Sequence, residues 1–277
     1  LLGRIPYKDA WDLQNQLAEE VHTGDRPATL LLLEHPHTYT IGRSGKAENL
    51  LWDETKRADK GIEVHWVDRG GDVTYHGPGQ IVGYPLLPLG TPQILSDQDH
   101  NHLPQVDYIG YLRKLEAMII STLRDFGLQA EQQPGMTGVW INPASNPDLP
   151  LEKHPNDLRP TKIASIGVKV DSHGISRHGF ALNVNPDMSY WQGIIACGLE
   201  GYSETSLAEL IAPAPPVEKG GAHAGNRPFP RRAHDRRWDV EQGQVGVGGL
   251  ASQRRVEVDP RTQLAEGEII RHSGGEE

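Results

Sequence analysis

Arg69-Gly70-Gly71-Asp72-Val73-Thr74-Tyr75-His76-Gly77-Pro78-Gly79-Gln80 carries four glycines in twelve residues and reads as strand, turn, strand, with no helix between. Its glycines permit unusual dihedrals and let backbone approach a ligand closely. Strand alternation sets Asp72, Thr74 and His76 on one side, with Val73 and Tyr75 on the other. No helix follows the glycines and no Lys-Ser/Thr pair closes them, so the run is not a P-loop, and it is a poor match to a dinucleotide fingerprint. Working outward, residues 62–67 alternate as a strand before it and residues 80–86 form another after it. Strand follows strand here, against the strand–helix alternation of a parallel α/β sheet. The fold class predicted is therefore α+β, a mixed β-sheet with flanking helices.

The rest of the body fits that frame. Residues 7–22 have helical spacing, with Trp11, Leu13, Leu17 and Val21 near one face and Gly24 as the stop. Residues 29–34 and 38–41 are short apolar strands broken by His35-Pro36-His37. Residues 106–126 make the most regular helix, and residues 139–141 a strand. Residues 161–170 and 176–184 form a strand pair joined by Asp171-Ser172-His173-Gly174, a hairpin. Residues 205–211 are a last short helix. Residues 143–160 hold five prolines and read as a surface insertion.

Charge and composition divide the 277 residues unevenly. The net charge is −10, yet residues 213–277 balance ten Lys/Arg against ten Asp/Glu, so the excess lies on residues 1–212. That tail also carries ten glycines and six prolines and shows no sustained period. It is expected to be a low-complexity, disordered extension behind a folded body at 1–212. Its arginine run at 231–237 reads as a solvated linker or as a handle for an acidic partner. The acidic balance argues against a nucleic-acid binder. No apolar run is long enough to span a bilayer, so no membrane partner is expected. A single cysteine and no disulfide framework fit a reducing cytoplasm. No metal-ligand spacing stands out, and no cofactor is called for.

Three further segments carry candidate chemistry. Cys197 lies in Ala196-Cys197-Gly198-Leu199-Glu200-Gly201, and a lone cysteine is either an inert core residue or a nucleophile. Lys162 opens Lys162-Ile163-Ala164-Ser165-Ile166-Gly167-Val168, where alternation puts it on the face of Ala164, Ile166 and Val168. A lysine there keeps its head in water or is buried, and burial would depress its pKa and free the amine as a base. His178-Gly179-Phe180-Ala181 leads a small-residue strand along which a thin ligand has room to lie.

Taken together, these segments resemble the lipoate-protein octanoyltransferase family in order and spacing, with 35 positions from Lys162 to Cys197. Leu33-Glu34-His35-Pro36 and Tyr39-Thr40-Ile41-Gly42-Arg43 resemble a further stretch, and the likeness covers roughly residues 3–211. It implies the biotin/lipoate-ligase catalytic fold and transfer of an octanoyl group from octanoyl-acyl carrier protein to a lysine of lipoyl carrier domains. Those carriers would be the lipoyl domains of 2-oxoacid dehydrogenase E2 subunits and the glycine cleavage H protein. By the same resemblance Cys197 is the acyl-accepting nucleophile and Lys162 its activating partner. Arg69, Gly70, Gly71, Asp72, Val73, Thr74, Tyr75 and His76 match the acyl-substrate contacts, as do Ser165, Ile166, Gly167, Gly179, Phe180 and Ala181. His76 is a further catalytic candidate that would orient Lys162 or the thioester. Backbone N–H groups near Cys197 or Gly77 are candidates to meet the tetrahedral oxyanion.

The rival readings are an ATP-dependent lipoate or biotin ligase, a silent acyl-binding module and a papain-like hydrolase. A ligase working through an acyl-adenylate needs no cysteine. A binding module would have no reason to retain both Lys162 and Cys197. A papain-like cysteine would start a helix, and Gly198-Leu199-Glu200-Gly201 is a poor opening for one.

Overall fold

The computed structural model describes residues 2–90, 107–149 and 159–211. The extension expected at 213–277 and residues 150–158 of the insertion lie outside the described residues. Four helices and nine strands follow in chain order among them: α1 (Tyr7–Thr23), β1 (Thr29–Leu33), β2 (Thr38–Ile41), α2 (Glu54–Asp59), β3 (Glu63–Trp66), β4 (Val73–His76), β5 (Gln80–Leu86), α3 (Tyr108–Asp125), β6 (Ala130–Glu131), β7 (Val139–Ile141), β8 (Thr161–Val170), β9 (Ser176–Asn183) and α4 (Leu207–Leu210).

The strands form two sheets. Six of them run in the order β1-β5-β9-β8-β7-β6, and every pairing in that sheet is antiparallel. The smaller sheet, β3-β2-β4, is the mixed one: β2 runs parallel to β3 and antiparallel to β4. The fold is α+β as expected, with the mixing confined to three strands.

The two long helices, α1 and α3, each cover a face of the large sheet with the stripe their periodicity supplies. α1 buries Ala10, Leu17, Ala18 and Val21 against Leu31, Leu33, Val82 and Ala181 on one face. α3 buries Ile119 and Leu123 against Ile163, Ala164 and Leu182 on the other. Burial of each large aliphatic side chain contributes about 1.5–3 kcal/mol. A third core, of Tyr39, Ile41, Trp52, Val73, Tyr75 and Trp191, holds the small sheet. α2 escaped the sequence reading because it buries no residue; Asp53 caps it, its side chain accepting from the Lys56 N–H.

One local irregularity positions the site. The β7–β8 register runs Val139↔Ala164 and then slips to Trp140↔Lys162, a bulge of one residue. An extra residue reverses the alternation beyond it. Ala164, Ile166 and Val168 pack on the α3 side, whereas Lys162 does not share their face and turns to Cys197. The placement expected for Lys162 is corrected by that bulge.

Candidate active site

Cys197 sits in a single 3-10 turn, Ala196–Gly198, with φ 55° and ψ 17°. A non-glycine residue in the left-handed region is strained and persists only where its surroundings enforce it. The enforcing contacts come from the glycine-rich run. A Cβ on Gly198 would stand 2.8 Å from Asp72 Oδ2, and Asp72 is itself clamped, accepting from Asn49 Nδ2 at 2.6 Å and from the Val73 N–H at 2.6 Å.

The Lys162 ammonium donates to Cys197 Sγ at 3.1 Å. Lys162 is 2% exposed and its Nζ lies 4.7 Å above the Trp140 ring. Its backbone bridges to Glu204, with the Lys162 N–H donating to Ser203 O and its carbonyl accepting from Thr205. Burial pushes the Lys162 pKa down, but Cys197 and Glu204 more than offset it, and the ammonium is held above the ordinary lysine value. The expectation that burial would free this amine is thus corrected for the resting pair. The Glu204 carboxyl is pushed up to about 7 by burial, against the pull of Lys162. Its Oε2 is buried and lacks a hydrogen-bond partner among the described residues. Sequence reasoning missed Glu204, since an isolated parallel bridge across some forty residues brings it beside Lys162.

Two cavities meet at Cys197. The narrow one is lined by Arg69, Gly71, Asp72, Thr74 and His76, and also by Ser165, Ile166, Gly167, Gly179, Phe180 and Ala181. The expected substrate contacts therefore gather in one place, with three exceptions. Val73 and Tyr75 point the other way into the small-sheet core, and the Tyr75 hydroxyl pairs with His37. Gly70 lines the second cavity, an open one of about 550 Å³ that also reaches Lys162, Leu112 and Met136.

The deep end of the narrow cavity is polar. Tyr7, Tyr84 and His178 close it, none more than 3% exposed. His178 takes φ 56°, its N–H donates to Gln14 Oε1, and its ring is held between Asp68 at 2.7 Å and Tyr7 at 3.5 Å. Burial lowers the pKa of His178, opposed by Asp68, and raises that of Tyr7 and Tyr84. These groups are neutral near pH 7. In sequence His178 reads only as a strand leader; the side chains that make it a wall come from α1 and β5, far off in the chain.

Of the two roles expected for His76, orienting Lys162 is corrected. Both ring nitrogens are engaged, Nδ1 with Gln80 Oε1 at 2.9 Å and Nε2 with Thr40 Oγ1 at 3.3 Å. Gln80 Nε2 donates elsewhere, to Tyr75 O and Asn183 Oδ1. Its Oε1 thus accepts, which assigns the proton to Nδ1 of His76. Burial drives the His76 pKa well below its ordinary value, so it stays neutral and does not touch Lys162 or Cys197. Through Thr40 it steadies Arg69, whose Nη2 donates to Thr40 O at 2.6 Å and to Thr40 Oγ1 at 2.8 Å. Arg69 has no carboxylate partner among the described residues, which leaves its buried charge directed at the cavity and Cys197.

The oxyanion candidates also change. The Gly198 and Leu199 N–H groups are committed to the carbonyls of Ile195 and Ala196, and Gly77 lines neither cavity. Among the described residues no group of three or more His, Cys, Asp or Glu is arranged to hold a metal ion. None of the described helices is long and apolar enough to cross a membrane.

The sequence model of the lipoyl protein ligase A/B catalytic domain matches residues 6–220. An octanoyltransferase of Rubrobacter xylanophilus is 42% identical over 208 residues, 75% of this chain and 80% of that protein. An octanoyltransferase of Acidobacterium capsulatum is 43% identical over 232 residues, covering 83% and 87%. Among solved structures, a bipartite lipoate protein ligase of Thermoplasma acidophilum superposes with a TM-score of 0.48 at 18% identity, over 72% of this chain and 66% of that one.

Proposed function

The chain belongs to the lipoyl protein ligase A/B catalytic-domain family, and on that footing we propose a route for its reaction through a thioester on Cys197. Its relatives are octanoyltransferases, and the chain is an acyltransferase of octanoyl groups in lipoate biosynthesis. The donor in this proposal is octanoyl-acyl carrier protein. The acceptors are lysines of lipoyl domains, those of 2-oxoacid dehydrogenase E2 subunits and the glycine cleavage H protein. The observation that carries the proposal is the 3.1 Å contact between Lys162 Nζ and Cys197 Sγ where two cavities meet.

In the proposed cycle Cys197 reacts as the thiolate, with the Lys162 ammonium donating to its sulfur. The sulfur attacks the donor's thioester carbonyl, a new C–S bond forms and the donor's thiolate leaves. Lys162 gives that leaving sulfur its proton, so the donor departs as a thiol and the lysine becomes neutral. The octanoyl chain occupies the narrow cavity. Acylation removes the sulfur charge that held the Lys162 pKa up, while the burial that pushes it down remains. The same amine thereby becomes a base. The acceptor lysine attacks as a neutral amine and Lys162 takes its proton as the C–N bond forms. Cys197 leaves as the thiolate, restoring the starting pair. Arg69 adds a fixed positive charge beside the reacting sulfur.

The test is transfer of octanoyl from a carrier-borne thioester to a purified lipoyl domain without nucleotide. Product without ATP is expected. Product only when free octanoate and ATP are supplied would establish the ligase reading instead.

A further inference from the structure

β8 is longer than the strand that covers it. β7 pairs with β8 only from Thr161 to Ala164, whereas β8 continues to Val170 with β9 along its other edge. An antiparallel ladder points the backbone groups of alternate residues away from the partner. The Gly70 N–H donates to the Val168 carbonyl at 2.9 Å, which fixes the phase: Val168 faces outward, and so does Ile166, two residues away. The N–H and C=O of Ile166 and the N–H of Val168 have no partner among the described residues. An unpaired strand edge is a template for an extended chain that carries amides.

This edge borders the open cavity, whose wall includes Ile166 and Val168 and whose end holds Lys162 and Cys197. About 550 Å³ is the size of a small-molecule site rather than of a docking face for a folded domain. An acyl thioester at Cys197 needs two channels, one for its hydrocarbon and one for the arm that bears its sulfur. Two cavities meet at Cys197, and the one bordered by Ile166 and Val168 is much the roomier.

We propose that the open edge of β8 binds the arm of the acyl donor: an extended thiol chain with amide groups pairs with the outward backbone of Ile166 and Val168, which brings its thioester to Cys197. This rests on the thioester reading above and adds the subsite that selects a pantetheine-type donor.

The test uses the full chain and two unreactive thioethers, S-octyl pantetheine and octyl propyl sulfide, the second lacking amides. Hydrogen–deuterium exchange across residues 165–170 is expected to slow at Ile166 and Val168 with the first and not with the second. Unchanged exchange with both overturns the proposal. Slowing with an added lipoyl domain alone also overturns it, by assigning the edge to the acceptor. A second arm compares acylation of the wild-type chain by octanoyl-pantetheine and by S-propyl octanethioate, which carries no amides. The first is expected to be faster by about five- to tenfold or more, one hydrogen bond's worth at the least. Equal rates with the two donors contradict the proposal. If neither thioester acylates the wild-type chain, the thioester reading itself has failed, and this subsite with it.

Discussion

Lys162 does two opposite jobs in the proposed cycle, and its surroundings explain how one amine can. The sulfur it faces and Glu204 hold its proton on; burial pulls the proton off. Lys162→Arg separates the charge from the proton transfers, since arginine keeps the charge but does not give up its proton. That variant can neither protonate the departing donor sulfur nor take the acceptor's proton, so acyl-enzyme formation should slow and transfer to the lipoyl domain should fall by about 10²–10⁴-fold; wild-type rates for both steps would contradict the proton shuttle. Glu204 makes a second residue-scale prediction. Its folded pKa of about 7 lies above the ordinary carboxyl value of 4.5, so the folded state binds the extra proton between those values. Its stabilisation is full below the lower value and is lost as pH rises through the higher one. Glu204→Gln removes that dependence, so the melting temperature of the variant relative to wild type should rise from pH 5 to pH 8. A constant difference would show that Glu204 is not the group titrating. The motif residues of this site were legible, Cys197 and Lys162 among them. Glu204 was not, because its place beside Lys162 depends on an isolated parallel bridge that no motif or periodicity announces.

At the scale of elements, the narrow cavity exists because β9 and β5 approach closely at glycines. A Cβ on Gly179 would lie 2.1 Å from the Gly83 carbonyl oxygen, a backbone atom that cannot swing aside. Gly179→Ala should destabilise the fold by about 1–3 kcal/mol and slow acylation, read by chemical denaturation and by acyl-enzyme formation. An unchanged unfolding midpoint would mean that the strands separate more easily than their register suggests. Most strands were readable from alternation between glycine and proline stops, and β4, β5, β7 and β8 have the bounds expected. The division into two sheets was not readable. β2 pairs with β3 and β4 while β1, just before it, joins β5 in the other sheet. His35-Pro36-His37 shows that the chain breaks there, but which partner each half takes is decided by cores formed from distant residues. The substrate run Arg69 to His76 shows the same limit: alternation separated Val73 and Tyr75 from their neighbours, and the core that claims them includes Trp52 and Trp191.

For the molecule as a whole, charge and family coverage suggest that the reaction needs only the body of the chain. The family match ends at residue 220, and the acidic excess lies on residues 1–212. A chain truncated after Gly220 is expected to keep octanoyl transfer within about twofold of the full chain, an effect under 1 kcal/mol; loss of transfer would give the remainder a part in docking. A thioester on Cys197 can be weighed directly. The full chain is incubated with octanoyl-acyl carrier protein, without ATP, and its intact mass is measured before and after hydroxylamine. A gain of one octanoyl group is expected, removed by hydroxylamine and absent from Cys197→Ala. An adduct that persists in Cys197→Ala, or no adduct in a chain that still transfers octanoyl, would rule out the thioester on Cys197.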